Sequence, residues 1–147
     1  CYELKEEVSV KADYYLNTNH EFEVRCQIVE NVDPDVTISI HQNSYSDAGI
    51  SGAQVFYYST SEKSRLLAEQ LQEKLISMVD PTNHRAAKAN DSYYMLRKTV
   101  SPTVIVECGF LSNEKECKKL QEEKYQDKIV EAIYQGIVTF AQMQESN

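Results

Sequence analysis

The sequence predicts an α/β domain in three layers, a mostly parallel central sheet covered by helices on both faces. Three observations lead there. Short apolar runs alternate with longer stretches of helical periodicity, the pattern of layered α/β domains. Two of those runs, at 36–41 and 103–107, lack clean polar alternation, as expected when helices cover both sides of a strand. The chain has 147 residues, 41% of them hydrophobic, which is enough for one sizeable core. It carries no internal repeat and no linker rich in Pro, Gly or Ser, so residues 1–147 read as a single domain.

The elements follow in order. Val8 and Val10 alternate with polar neighbours and predict a short strand. Thr18 and Glu21 have capping-box spacing and open a helix with Phe22, Val24 and Ile28 turned inward. The Asp33-Pro34-Asp35 stretch ends it, because a residue before proline avoids the helical region. Strands are expected at 36–41 and at 53–58, joined by a loop carrying Gly49 and Gly52. Ser59 and Glu62 form a second capping box, opening a helix to about Val79 with Leu67, Leu71, Leu75 and Met78 on one stripe. Pro81 closes that helix. The segment from Thr82 to Lys98 is mixed, with Tyr93, Met95 and Leu96 marking a short strand or helix. A very apolar strand follows at 103–107, then a short helix opened by Asn113 and Glu116. The last helix runs from about Tyr125 to Met143, with Tyr125, Ile129, Ile133, Ile137 and Phe140 on one face.

Charge and composition narrow the function. A formal net charge of −8 excludes duplex nucleic acid as a partner, since phosphate binding needs a basic face. No apolar run approaches the roughly 20 residues that span a bilayer. A charged fraction of 26% together with ten tyrosines argues against disorder. The four cysteines form no CxxC pair; Cys26 and Cys108 read as small buried apolar residues.

Chemistry is suggested by two strand ends. In open α/β sheets, ligands sit beyond the carboxyl ends of the strands. His41 closes the run TISIH (37–41) and Glu107 closes TVIVE (103–107). If the strands are parallel, the two side chains converge on one pocket. Desolvation beside Val104 and Val106 raises the pKa of Glu107 toward that of a general base, and an imidazole beside it suits zinc. A structural imidazole and a salt-bridged glutamate are the alternative.

The runs SIHQN (39–43), SGAQVFY (51–57), NHRAAK (83–88), YMLR (94–97) and VECGFLSN (106–113) stand in an order and spacing that resembles the zinc-dependent N-acetylmuramoyl-L-alanine amidases. The wording is most similar to their sporulation-specific, spore-cortex members, over about residues 8–141. The resemblance implies that His41 ligates zinc and that Glu107 is the catalytic glutamate. It implies cleavage of the amide between N-acetylmuramic acid and the L-alanine of the stem peptide, by a zinc-activated water with Glu107 as general base and then acid. It also implies extracytoplasmic work in the cell wall or spore cortex of a Gram-positive spore former, and an activating protein partner is compatible with it.

One departure is serious. Members of that family begin with a strand, an H-G-G turn giving the first zinc histidine, and a helix whose first glutamate is the third ligand. Neither appears here, and Glu3, Glu6 and Glu7 lie too near the expected strand at Val8 to replace them. One of three expected protein ligands is present, so the 147 residues by themselves are expected to be inactive. The sequence is then a truncated form, a chain whose missing piece lies in another chain or outside this sequence, or a non-catalytic peptidoglycan-binding or scaffold protein of the same fold. Truncation would expose a sheet edge and favour self-association.

By the same resemblance Arg85, Lys88 and Arg97 are candidates for receiving stem-peptide carboxylates, with loop surface charge as the alternative. Asn43 is a candidate for orienting the metal ligand or the substrate. His20 and His84 read as solvated, the acidic run at 114–123 as a solvated helix face, and a Cys108–His41 nucleophile pair is disfavoured because alternation turns Cys108 away from Glu107.

Overall fold

The structure, a computed structural model, describes residues 18–145, with side chains from residue 21 onward. The expected strand at Val8 and Val10, and Glu3, Glu6 and Glu7, lie outside the described residues, as do the side chains of Thr18 and His20. Helix α1 spans Thr18–Val32, β1 Thr37–Asn43, β2 Gln54–Tyr57, α2 Glu62–Lys74, β3 Lys88–Ala89, α3 Tyr94–Lys98, β4 Thr103–Phe110, α4 Glu114–Leu120 and α5 Glu123–Glu145.

The strands form one sheet in the order β1-β4-β2-β3. β1 runs parallel to β4 and β3 parallel to β2, while β2 and β4 are antiparallel. The sheet is therefore mixed: the loop at 44–53 returns the chain past β4 in the opposite direction. On one face Leu67, Leu71 and Leu75 of α2 and Ile129, Ile133 and Phe140 of α5 close over Val55, Val104, Val106 and Cys108. On the other, a smaller cluster joins Phe56, Leu96 and Ile105, flanked by Tyr58 and Tyr93. No helix among the described residues is long and apolar enough to cross a membrane.

Several elements depart from expectation for local reasons. β1 continues two residues past His41, and β4 three past Glu107, so neither residue is the last of its strand. The cap of α2 is Ser61, whose side chain accepts from the Ser64 N–H, rather than Ser59. Glu62 is thus the first helical residue and pairs with Arg65 instead of reaching back to a cap. After Lys74 the helix widens into a single π-type turn, Leu75–Val79, with the Asp80 N–H bonded to the Leu75 carbonyl at 3.2 Å. The wider turn shifts the phase of the stripe: Val79 swings onto the core and Met78 is left 37% exposed. Helix α1 ends at Val32, just before Asp33, which takes φ 46°, and its expected inward residues Phe22, Val24 and Ile28 are only half-buried, while Cys26 is buried. The short element expected around Tyr93 is the helix α3.

Candidate active site

The site begins with register. His41 of β1 and Gln54 of β2 are both partners of Glu107 on the central strand β4. Cross-strand partners project to the same face, so an imidazole, a carboxyl and an amide stand abreast. His41 and Glu107 line one cavity of about 430 Å³, walled by Phe22 of α1, by Tyr93, Tyr94 and Met95 around α3, and by Ile105. The cavity lies on the face with the smaller apolar cluster. The Phe22 and Tyr94 rings meet there at 6.3 Å, and Tyr93 stands edge-on to Phe56 at 5.6 Å.

Glu107 is 6% exposed, and its Oε2 is fully buried without a hydrogen-bond partner among the described residues. Burial raises its pKa above the ordinary carboxylate value, because the apolar wall disfavours the charge. Leaving a buried oxygen unpaired costs about 1–3 kcal/mol, which a residue serving only the fold would not need to incur. The same carboxyl helps push the Tyr93 phenol upward, after burial itself.

His41 Nε2 lies 2.8 Å from Ser39 Oγ, two residues back on the same face of β1, and either atom can be the donor. Burial, and secondarily Arg25, lowers the pKa of His41 and favours the neutral ring, the form that ligates metals. Ser-x-His on a strand places both side chains on one face, so the sequence puts Ser39 beside His41 but gives no sign of the hydrogen bond between them. Among the described residues no group of three or more His, Cys, Asp and Glu side chains is arranged to share a metal ion. His41 fits zinc as one neutral nitrogen donor, but a catalytic zinc uses three protein ligands, so the described residues do not complete such a site.

The other candidates are dispersed. Asn43 does not hold His41: its Oδ1 accepts from the Ser44 N–H and its carbonyl from the Leu111 N–H, each at 2.8 Å, tying together the loops beyond β1 and β4. Arg85 donates to the Ser51 carbonyl and to Gln54, beside the row of register partners. Lys88 on β3 and Arg97 on α3 are exposed, as is His84. Cys108 belongs to the core on the opposite face, where burial and then Glu107 push its thiol up to about 11.

The acidic run at 114–123 holds one acidic residue that is not solvated. Asn113 caps α4 as expected, accepting from the Lys115 and Glu116 N–H groups. Glu116, however, turns inward and accepts at 2.8 Å from the Gly52 N–H and at 2.8 Å from the Phe110 N–H. That buried carboxylate clips the start of β2 to the end of β4 and fixes the rim of the site. Capping-box spacing alone gave no sign of it, since the usual partner of such a glutamate is the cap.

Comparison with known proteins places this geometry. A family model described as N-acetylmuramoyl-L-alanine amidase matches residues 3–139. The germination-specific N-acetylmuramoyl-L-alanine amidase of Bacillus subtilis is 34% identical over 116 residues, which are 79% of this chain and 48% of that protein. The chain thus spans about half the length of this curated relative. Among solved structures, the CwlD amidase from Clostridioides difficile, determined in complex with the GerS lipoprotein, superimposes with a TM-score of 0.83 at 42% identity, covering 85% of this chain and 64% of that one. An N-acetylmuramoyl-L-alanine amidase from Clostridium difficile 630 gives 0.78 at 29% identity, covering 82% and 65%. On the family match and these relatives together, the chain belongs to the N-acetylmuramoyl-L-alanine amidases.

Proposed function

We propose that this chain is catalytic-domain sequence of a peptidoglycan hydrolase cleaving the amide between N-acetylmuramic acid and the L-alanine of the stem peptide. One observation carries the reading: a desolvated glutamate with a bare oxygen stands abreast of a half-buried histidine in one cavity. Glu107 takes a proton from the water that attacks the amide carbonyl and returns it to the departing alanine nitrogen. Its raised pKa suits both halves of that task. His41 is one zinc ligand, with the remaining donors outside the described residues. Zinc, when bound, supplies polarisation of a water or a carbonyl. Ser39 holds the imidazole, and Asn43, Arg85, Lys88 and Arg97 contact the substrate around the strand ends.

The names of the relatives support a place in spore-cortex maturation or germination, and hence outside the cytoplasm in the cell wall or cortex. The CwlD complex with a lipoprotein supports a protein partner here as well. A non-catalytic peptidoglycan binder of the same fold is the rival, favoured by the incomplete ligand set among the described residues.

Zinc content and muropeptide cleavage separate the two. The full-length protein is expected to hold stoichiometric zinc and to release stem peptides, and Glu107→Gln to keep the metal and lose the cleavage. A Glu107→Gln protein cutting as fast as wild type would overturn the assignment. Peptidoglycan binding with neither zinc nor cleavage would establish the rival.

A further inference from the structure

Arg85 is held at both ends, yet no carboxylate among the described residues pairs with it. Nε donates to the Ser51 carbonyl at 2.7 Å and Nη1 to Gln54 Oε1 at 2.9 Å, while the guanidinium carbon lies 4.9 Å from the centre of the Phe110 ring. Gln54 is itself fixed, its amide donating to the Ala86 carbonyl at 3.0 Å. Asn83 accepts from the Arg85 backbone N–H at 3.0 Å and donates to the Ala53 carbonyl at 2.8 Å. Gly52, at φ 96°, allows this approach: a Cβ there would meet Asn83 Oδ1 at 2.6 Å. Arg25 and Arg65 pair with glutamates of their own helices, but among the described residues no carboxylate forms an ion pair with Arg85. Asp80, which lines the same cavity of about 370 Å³, is occupied by the backbone and hydroxyl of Thr82.

The cation is also placed usefully. Gln54 is the register partner of Glu107, so the guanidinium lies one side chain beyond the carboxyl row. It does not serve as the counter-ion of Glu107: among the described residues the two form no ion pair. A fixed planar fork, with Nη2 unengaged among the described residues, matches a carboxylate brought by a ligand. On a chain of net charge −8, an anionic ligand needs such a local receptor.

Resting on the amidase reading, we infer that Arg85 is a carboxylate receptor that reads the second residue of the stem peptide. That residue is a D-glutamate joined through its side chain, which leaves its α-carboxyl either free or amidated. It follows L-alanine by one residue, roughly 3.5 Å of chain, so its carboxyl lies to one side of the scissile amide, as Arg85 lies to one side of the carboxyl row beyond Gln54. Arg85 therefore favours the free acid over the amide. Lys88 and Arg97, exposed and unoriented, do not make this distinction.

The test titrates the full-length protein with muramyl-L-alanyl-D-isoglutamate and with its D-isoglutamine counterpart, following binding by calorimetry. The acid form is expected to bind about tenfold tighter or more, as one charge-assisted contact allows. Arg85→Gln is expected to bring the acid form to the level of the amide, and Arg85→Lys to keep part of the preference. Equal affinities in the wild type, a preference retained in Arg85→Gln, or no binding of either form overturns the inference. The wild-type comparison stands even where a variant folds poorly. Cleavage of both muropeptides at equal rates leaves the amidase reading intact and removes this one; absence of both zinc and cleavage removes the amidase reading.

Discussion

The two faces of β4 are built from alternate residues of one strand and do opposite things. Val104, Val106 and Cys108 point into the layer sealed by α2 and α5. Thr103, Ile105 and Glu107 point to the other side, where Phe56 and Leu96 give thinner cover and a cavity remains. The sealed face supplies the stability and the open face the chemistry. A bare carboxyl oxygen is tolerated on the open side because the strand is anchored from behind.

If that division holds, changes on one face should leave the other's property standing. Glu107→Gln should lower muropeptide cleavage by the full-length protein about 10²–10⁴-fold, the range for loss of a general acid–base. Its circular dichroism and zinc content should match wild type. Leu71, fully buried on the sealed face, is the converse. Leu71→Ala should cost about 3 kcal/mol in denaturant unfolding with cleavage per folded molecule little changed. Were Leu71→Ala to abolish cleavage while remaining folded, the two faces would not be separable.

Gly136 sharpens the same point at smaller cost. It lies where α5 crosses α2, and a Cβ there would meet Leu71 Cδ2 at 2.7 Å and Leu71 Cα at 3.0 Å. A backbone atom cannot move aside like the end of a side chain, so the helices must separate. Gly136→Ala should destabilise the fold by about 1–3 kcal/mol, as overpacking does, visible as a lowered Tm. An unchanged Tm would mean that the sealed face is looser than its packing implies.

How much of this was legible beforehand follows the same division. The leucine stripe of α2 and the apolar face of α5 are periodic, so the sealed layer could be read from spacing. Met78 failed because a local π-type turn changes the phase, and nothing in a stripe announces that turn. His41 and Glu107 stood out as polar residues closing apolar runs, but their register, and the arrival of Gln54 beside them, depend on long-range pairing. β2 runs against β4 because of how a loop returns, which alternation does not encode. Glu116 was hidden inside a capping pattern that accounted for it too well. Arg85 was visible as a cation, while its fixed setting on Gln54 and Phe110 is a property of the folded loop.

The smallest expected effect tests why Glu107 titrates high. With its folded-state pKa raised above the unfolded value by burial, the native state holds the proton more tightly than the unfolded chain does. The stability linked to that proton is fully present below the ordinary carboxylate pKa and is lost as pH rises through the folded one. At neutral pH the ionised carboxyl is therefore a burden, and Glu107→Gln should make the metal-free protein more stable. The advantage should shrink as pH falls through the window between the two pKa values. Denaturant midpoints of both proteins, measured in chelator across that window, read the difference directly. A bound cation beside the carboxyl would favour its charged form and reverse the sign, so repeating the series with zinc asks whether the ion reaches Glu107. A glutamine variant less stable at neutral pH in chelator would mean that the charged carboxyl is held by a partner, and that burial alone does not set its titration.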